Sequence, residues 1–179
     1  MNLELLLLNI WNELKRIFCY GMGLRFLVSK VIKPWITFDY LTDISSKEIK
    51  QMIKKYDLKL LLIDMDGTLI HRKYGLLKDN KKWVTHIKQY VDVYMITNAK
   101  KRRACLVAEE LGIPYLSSAR KPRKKNFQKV LELKRVSPHQ CLMIGDALVA
   151  DIYGSKRVGI QKTILVKDLD VFFKKKLKR

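Results

Sequence analysis

Cysteine is scarce. The three in this chain, Cys19, Cys105 and Cys141, stand far apart, are odd in number and form no CxxC pair. That excludes a disulfide framework and a zinc ribbon, and favours a reducing, cytoplasmic setting. Long apolar runs are also missing. The opening stretch MNLELLLLNIWNELKRIF holds none longer than Leu5–Leu8, far short of a membrane span. No transmembrane segment is expected anywhere. The same stretch has neither a basic n-region nor a small-residue cleavage site, so no signal peptide is expected. Internal repeats are absent. Acidic residues are few: 17 Asp and Glu face 37 Lys and Arg, a formal charge of +20. Such a field attracts polyanions, whether phosphorylated small molecules, anionic membrane or nucleic acid, and says little about fold.

A hydrophobic fraction of 48% argues against disorder, and 179 residues suffice for one domain with an appendage. Residues 3–18 fit a helix with Leu3, Leu7, Ile10, Trp11, Leu14, Ile17 and Phe18 on one stripe. Two readings of it stay open. It packs on the core, or it lies in a membrane surface with Trp11 as anchor. Residues 31–45, with a proline and turn-prone polar residues, read as a connector. We therefore expect an amphipathic helical lead and connector over 1–45, a core over 46–166 and a basic tail over 167–179.

Inside the core, strands alternate with helices. Strands are expected at 60–64, 91–97, 113–116, 140–144 and 163–166. Helices are expected at 46–56, 78–90, 100–111, 124–135 and 148–158, the third ending at Gly112. Five strands and intervening helices imply an α/β fold, a doubly wound, Rossmann-like parallel sheet. Sites in such sheets form beyond the carboxyl ends of the strands. At those ends stand Asp64-Met65-Asp66-Gly67-Thr68, Thr97-Asn98, Ala119-Arg120-Lys121-Pro122, and Gly145-Asp146 with Asp151 close behind. Buried carboxylates are unfavourable unless paired, hydrogen-bonded or bound to metal, so these acids point to a cation and to chemistry. One carboxylate can attack phosphorus in line, and a second can protonate the leaving oxygen and then activate water. Magnesium takes hard oxygen ligands. A hydroxyl, backbone amides and a lysine can hold non-bridging phosphate oxygens. Gly67 permits a tight turn.

DMDGTL, ITN, the lysine of ARKP and GDALVAD together resemble the four ordered motifs of the haloacid dehalogenase (HAD) superfamily of phosphohydrolases, over residues 58–166. The resemblance implies Asp64 as nucleophile and Asp66 as general acid/base, and Thr97 and Lys121 as phosphate ligands with Asn98 beside them. It implies Mg2+ held by Asp64, Asp146 and the Asp66 main-chain carbonyl, with Asp151, Gly67 and Gly145 in support. Response-regulator receiver domains share much of this chemistry, but their phosphorylated Asp sits on a later strand, away from the first acidic pair.

The gaps between motifs have room for a flap, single helices and strands, and not for a cap domain, so an open site is expected. The capless core, the long lead and KPRKKNFQKVLE resemble the YqeG-type subgroup, HAD subclass IIIA, related to phosphatidylglycerophosphate phosphatases. That implies phosphatidylglycerophosphate as substrate, in phosphatidylglycerol synthesis, and a peripheral place on the inner face of the membrane. Arg120, Arg123, Lys124 and Lys125 at the rim and the tail VFFKKKLKR suit an anionic surface. RNA or ribosome binding, or another soluble or macromolecular phosphomonoester, is the alternative, and the nucleic-acid reading rests on charge alone. KKRR at 100–103 places cations at a helix N-terminus, where the dipole disfavours them. His71, in the predicted flap, could touch a leaving group or simply stand exposed. Trp35 and Trp83 read as packing residues.

Overall fold

The apolar run Leu60–Ile63 is the central strand of a parallel sheet, and all four side chains are buried. The structure, a computed structural model, describes residues 32–169. The expected lead helix and nearly all of the basic tail lie outside those residues. In chain order the elements are β1 (Ile36–Thr37), α1 (Ser46–Lys55), β2 (Leu60–Ile63), β3 (Ile70–His71), β4 (Gly75–Leu76), α2 (Lys78–Ile87), β5 (Asp92–Ile96), α3 (Lys101–Leu111), β6 (Tyr115–Leu116), α4 (Lys124–Lys134), β7 (Cys141–Gly145), α5 (Gly154–Lys156) and β8 (Lys162–Leu165). Six strands pair in the order β1-β8-β7-β2-β5-β6, all parallel, and β3–β4 is a separate antiparallel hairpin.

Alternation explains why β2 is apolar throughout. Leu61 and Ile63 face a core with Ile49 of α1, Trp83, Val84 and Ile87 of α2, and Ala104, Ala108 and Leu111 of α3. Leu60 and Leu62 face a second core with Phe127, Val130 and Leu131 of α4. A strand covered on both faces has no polar side. The doubly wound expectation is met, and the packing roles of the tryptophans with it. Trp83 donates Nε1–H to the Ile44 carbonyl at 2.8 Å, and Trp35 meets Tyr56 edge to face.

Helix ends follow local chemistry. Ser45 and Glu48 form a reciprocal capping box at α1. Gly112 ends α3 at φ 60°, a left-handed position that glycine occupies without a Cβ clash. Two elements differ from expectation. Residues 36–37, read as connector, form β1 on β8 with register Ile36↔Ile164 and Thr37↔Leu165. A two-residue strand beside a proline has no periodicity to detect. The helix expected at 148–158 begins as a π-turn over Leu148–Tyr153, in which the Ala147 carbonyl accepts both Asp151 N–H at 2.8 Å and Ile152 N–H at 3.4 Å. Such bulges gather at functional sites, and this one delivers Asp151.

Candidate active site

The polar residues following β2, β5, β6 and β7 share one rim of the sheet. Asp64 continues β2, its N–H bonded to the Ile144 carbonyl at 2.9 Å. By alternation it has the parity of Leu60 and Leu62, toward the α4 face, and Lys121 lies just before α4. The Lys121 ammonium donates to Asp64 Oδ1 and to Asp151 Oδ1, each at 2.5 Å. The exposures of these side chains are 2% for Lys121, 8% for Asp64 and 0% for Asp151, so the triad is effectively dry. Asp151 Oδ2 accepts the Ala147 N–H at 3.0 Å. Both of its oxygens are thus used, and it serves as the anchor of Lys121.

Asp146 completes the cluster. Carboxylate oxygens of Asp64, Asp146 and Asp151 lie within 4.8 Å of one another, and Thr68 Oγ1 donates to Asp146 Oδ1 at 3.3 Å. Both supporting glycines are explained by close approach. A Cβ on Gly145 would stand 2.3 Å from Asp151 Oδ2. Gly67 adopts φ +81°, and a Cβ there would stand 2.6 Å from Asp146 Oδ2 and 3.1 Å from Asp168 Oδ1.

Two buried acids and the half-buried Asp146 beside one lysine leave a surplus of negative charge. Burial pushes the Asp64 carboxyl up to about 7, with Asp151 adding to the rise and Lys121 opposing it. Burial also lifts Asp146, to about 8, reinforced by Asp64, Asp151 and Asp168. For Lys121 burial works against the charge, but Asp151 and Asp64 more than reverse this and hold it above the usual lysine range. A hard divalent cation suits such an all-oxygen donor set, and Mg2+ is the cofactor. Asp64 and Asp146 are the acids that would hold it, since Asp151 is already committed.

This fixes a pH dependence. In metal-free protein, Asp64 and Asp146 keep their protons to higher pH than the unfolded chain, whose carboxyls titrate near 4. Their contribution to stability is complete below about pH 4 and is lost as pH rises through 7 to 8. Mg2+ requires ionised carboxylates, so its binding releases protons and tightens with pH. The Tm increment given by a fixed Mg2+ concentration is expected to be larger at pH 8.5 than at pH 6 in thermal melts.

Thr97 is buried after β5, its Oγ1 accepting the Ala99 N–H at 3.0 Å. Asn98 sits beside it with a different task. Its Oδ1 accepts the Lys121 N–H at 2.7 Å and its Nδ2 donates to the Lys121 carbonyl at 3.3 Å. The Lys121 loop holds two non-glycine residues at positive φ, Ser118 at 49° and Arg120 at 50°. Such conformations persist where neighbours over-determine them. Here Asn98, the Ala99 carbonyl (from Ser118 N–H, 2.8 Å) and Asn126 (to the Ala119 carbonyl, 2.8 Å) do so. Asn98→Ala is expected to lower kcat roughly 100-fold by misplacing Lys121 and to lower Tm modestly, measured by steady-state kinetics and calorimetry.

Asp66 is not one of the three clustered acids. Its Oδ1 accepts from Arg103 Nη2, in the first turn of α3, at 2.6 Å. His71 is not exposed. It is buried, and its Nδ1 accepts the Lys73 N–H at 3.0 Å and the Tyr74 N–H at 3.3 Å, closing the β3–β4 hairpin. Sequence reasoning missed Arg103 as the partner of Asp66, Asp168 beside Gly67, and Asn80. The buried Asn80 donates to the Thr68 and Leu69 carbonyls at 3.1 and 2.9 Å, fixing the turn after Asp66. Only Arg103 left a trace, in a helix start crowded with cations.

Residues 73–159 match the sequence profile of a family described as haloacid dehalogenase-like hydrolase. Over 118 residues the chain is 31% identical to a Bacillus subtilis protein named probable phosphatase YqeG, covering 65% of this chain and 68% of that one. Two solved structures share the fold. A protein of Listeria monocytogenes serotype 4b aligns with TM-score 0.52 and 17% identity over 68% of this chain and 100% of that one. A Vibrio cholerae structure ascribed to 3-deoxy-D-manno-octulosonate 8-phosphate phosphatase aligns with TM-score 0.50 and 16% identity over 64% and 69%. The chain belongs to the haloacid dehalogenase-like hydrolases. Within them it is a phosphatase of the HAD type.

Proposed function

We propose that the chain hydrolyses phosphomonoesters through an aspartyl-phosphate on Asp64. The observation that carries this is the buried Lys121, shared between Asp64 and Asp151 next to Asp146. The Asp64 carboxylate attacks phosphorus as the ester P–O bond breaks, and Asp66 gives its proton to the departing alkoxide. Asp66 then takes a proton from water, whose oxygen displaces Asp64 and releases phosphate. Lys121 and the Thr97 hydroxyl hold non-bridging oxygens, and Lys121 also keeps Asp64 aimed. When bound by Asp64, Asp146 and the Asp66 carbonyl, Mg2+ supplies charge that offsets repulsion between nucleophile and substrate.

For the substrate we propose a phosphorylated lipid headgroup, phosphatidylglycerophosphate, met at the inner face of a membrane. Two observations support it. Among the described residues no domain is inserted between Asp66 and Thr97 or between Thr97 and Lys121, which leaves the rim open. Around it stand the exposed cations Lys100, Lys101, Arg102, Arg120, Arg123 and Lys125, each worth about 1 kcal/mol against anionic lipid near the surface. No described helix is long and apolar enough to cross a membrane, so contact would be peripheral. The test is Mg2+-dependent phosphate release from phosphatidylglycerophosphate in mixed micelles, beside a panel of soluble phosphomonoesters. Release from soluble esters alone moves the substrate elsewhere, and release from none removes the phosphatase reading.

A further inference from the structure

The two aspartates of the first motif have different cations. Asp64 has Lys121, dry and shared with Asp151, whereas Asp66 has Arg103, whose side chain is 56% exposed. Among the described residues, the bond from Nη2 to Asp66 Oδ1 is the one Arg103 makes. A guanidinium has five N–H donors in a planar fork suited to carboxylate and phosphate oxygens, so most of this fork faces solvent. The placement runs against local electrostatics. Lys101, Arg102 and Arg103 fill the first turn of α3, with no acid among them and Lys100 at the cap, where the helix dipole disfavours positive charge.

We infer that Arg103 is a specificity residue, which contacts a second anionic group carried by the alcohol portion of the substrate. The inference rests on the proposed role of Asp66. If Asp66 bonds the ester oxygen, Arg103, at 2.6 Å from the same carboxylate, lies within roughly 6 Å of that oxygen. A three-carbon linker spans about 5 Å. A leaving alcohol with a phosphodiester or second phosphate three carbons away therefore places that charge against the open side of the fork. A neutral alcohol finds no counterpart there. The selected class is phosphomonoesters with a second anion near the scissile ester, found in phosphorylated lipid headgroups and in soluble bisphosphates.

The test compares kcat/KM for glycerophosphoglycerol phosphate, whose alcohol carries a phosphodiester, with that for glycerol 3-phosphate, whose alcohol is neutral. p-Nitrophenyl phosphate serves as a common reference. The wild type is expected to prefer the anionic substrate about ten-fold or more, the scale of one charge-assisted contact. Arg103→Met is expected to reduce the ratio to near one, and Arg103→Lys to retain part of it. A merely structural tie between α3 and the first loop would lower both substrates together and leave the ratio intact, because misplacement of Asp66 acts on both. No preference in the wild type, or an unchanged ratio in Arg103→Met, overturns the inference. Failure to release phosphate from any of the three esters in the wild type removes the phosphatase reading itself, and this inference with it. A further arm with intact lipid in mixed micelles separates the sources. If the ratio collapses in Arg103→Met, a higher kcat/KM on lipid than on its deacylated headgroup identifies a membrane source, and equal values a soluble one.

Discussion

Asp64→Asn is expected to lower kcat by roughly four orders of magnitude or more, the scale seen when a nucleophile is removed, while the protein remains folded. The substitution keeps the side chain's shape and withdraws its charge from a dry site. Lys121 keeps Asp151 as an ionic partner, so no cation is left buried alone. The variant also loses an acid that the metal needs. Three measurements check this: phosphate release, an unchanged far-UV circular dichroism spectrum, and a Tm increment from Mg2+ smaller than in the wild type. Activity near the wild-type level would place the nucleophile elsewhere.

Lys121→Met has the opposite character: it damages both the fold and the chemistry. Methionine fills much of the volume but leaves Asp64 and Asp151 facing each other without a cation. Removing one partner of a buried pair commonly destabilises by about 3–5 kcal/mol, because the remaining charge is uncompensated. Loss of one donor to the transferring phosphoryl group adds a fall in kcat of roughly 100- to 1,000-fold. The stability loss carries a pH signature. Burial has already pushed Asp64 and Asp146 up to about 7 and about 8 in metal-free protein, and removing Lys121, which opposes the rise at Asp64, favours the protonated form of that acid further. The folded state then binds more protons than the unfolded one, so the deficit is largest near pH 8.5 and shrinks toward pH 5. Urea unfolding across that range measures it. A deficit that grew on acidification would show that Lys121 does not neutralise these acids. Adding Asp151→Asn to Lys121→Met is expected to restore part of the stability and none of the rate, since it relieves repulsion without returning the ammonium.

The fold and the centre of the site could be read from the chain because their signals are local. Leu60–Ile63 is apolar at every position, as a strand covered twice must be, and Asp64 and Asp66 follow in the same short stretch. Lys121 and Asp146 each follow a strand end, where a parallel sheet gathers polar groups, and Asp151 stands in the turn just behind. Other features depend on distance and direction. Asn98 lies next to Thr97, where position alone reads as a phosphate ligand, yet it spends its amide on the Lys121 backbone 23 residues away. Arg103 finds Asp66 across 37 residues. Asp168 sits in a stretch with no motif and reaches the site only because β8 delivers it to the rim. His71 looked surface-bound beside Arg72 and Lys73, but the tight hairpin folds it inward. The π-turn at 148–153 has the apolar spacing of an ordinary helix, and only its bonds to the Ala147 carbonyl reveal the difference.

The small strand β1 governs where the polypeptide can be shortened. Trp35 and Phe38 donate their N–H groups to the Thr163 and Leu165 carbonyls, each at 3.0 Å, and Lys167 pairs with Asp39 at 2.7 Å. This short latch covers the outer margin of β8, whose amides and carbonyls would otherwise be open to pairing with another chain. Trimming to Pro34 keeps the latch, whereas trimming to Tyr40 strips it off and turns a finished margin into a sticky one. A preparation begun at the later point should self-associate, though every residue of the catalytic cluster is still present.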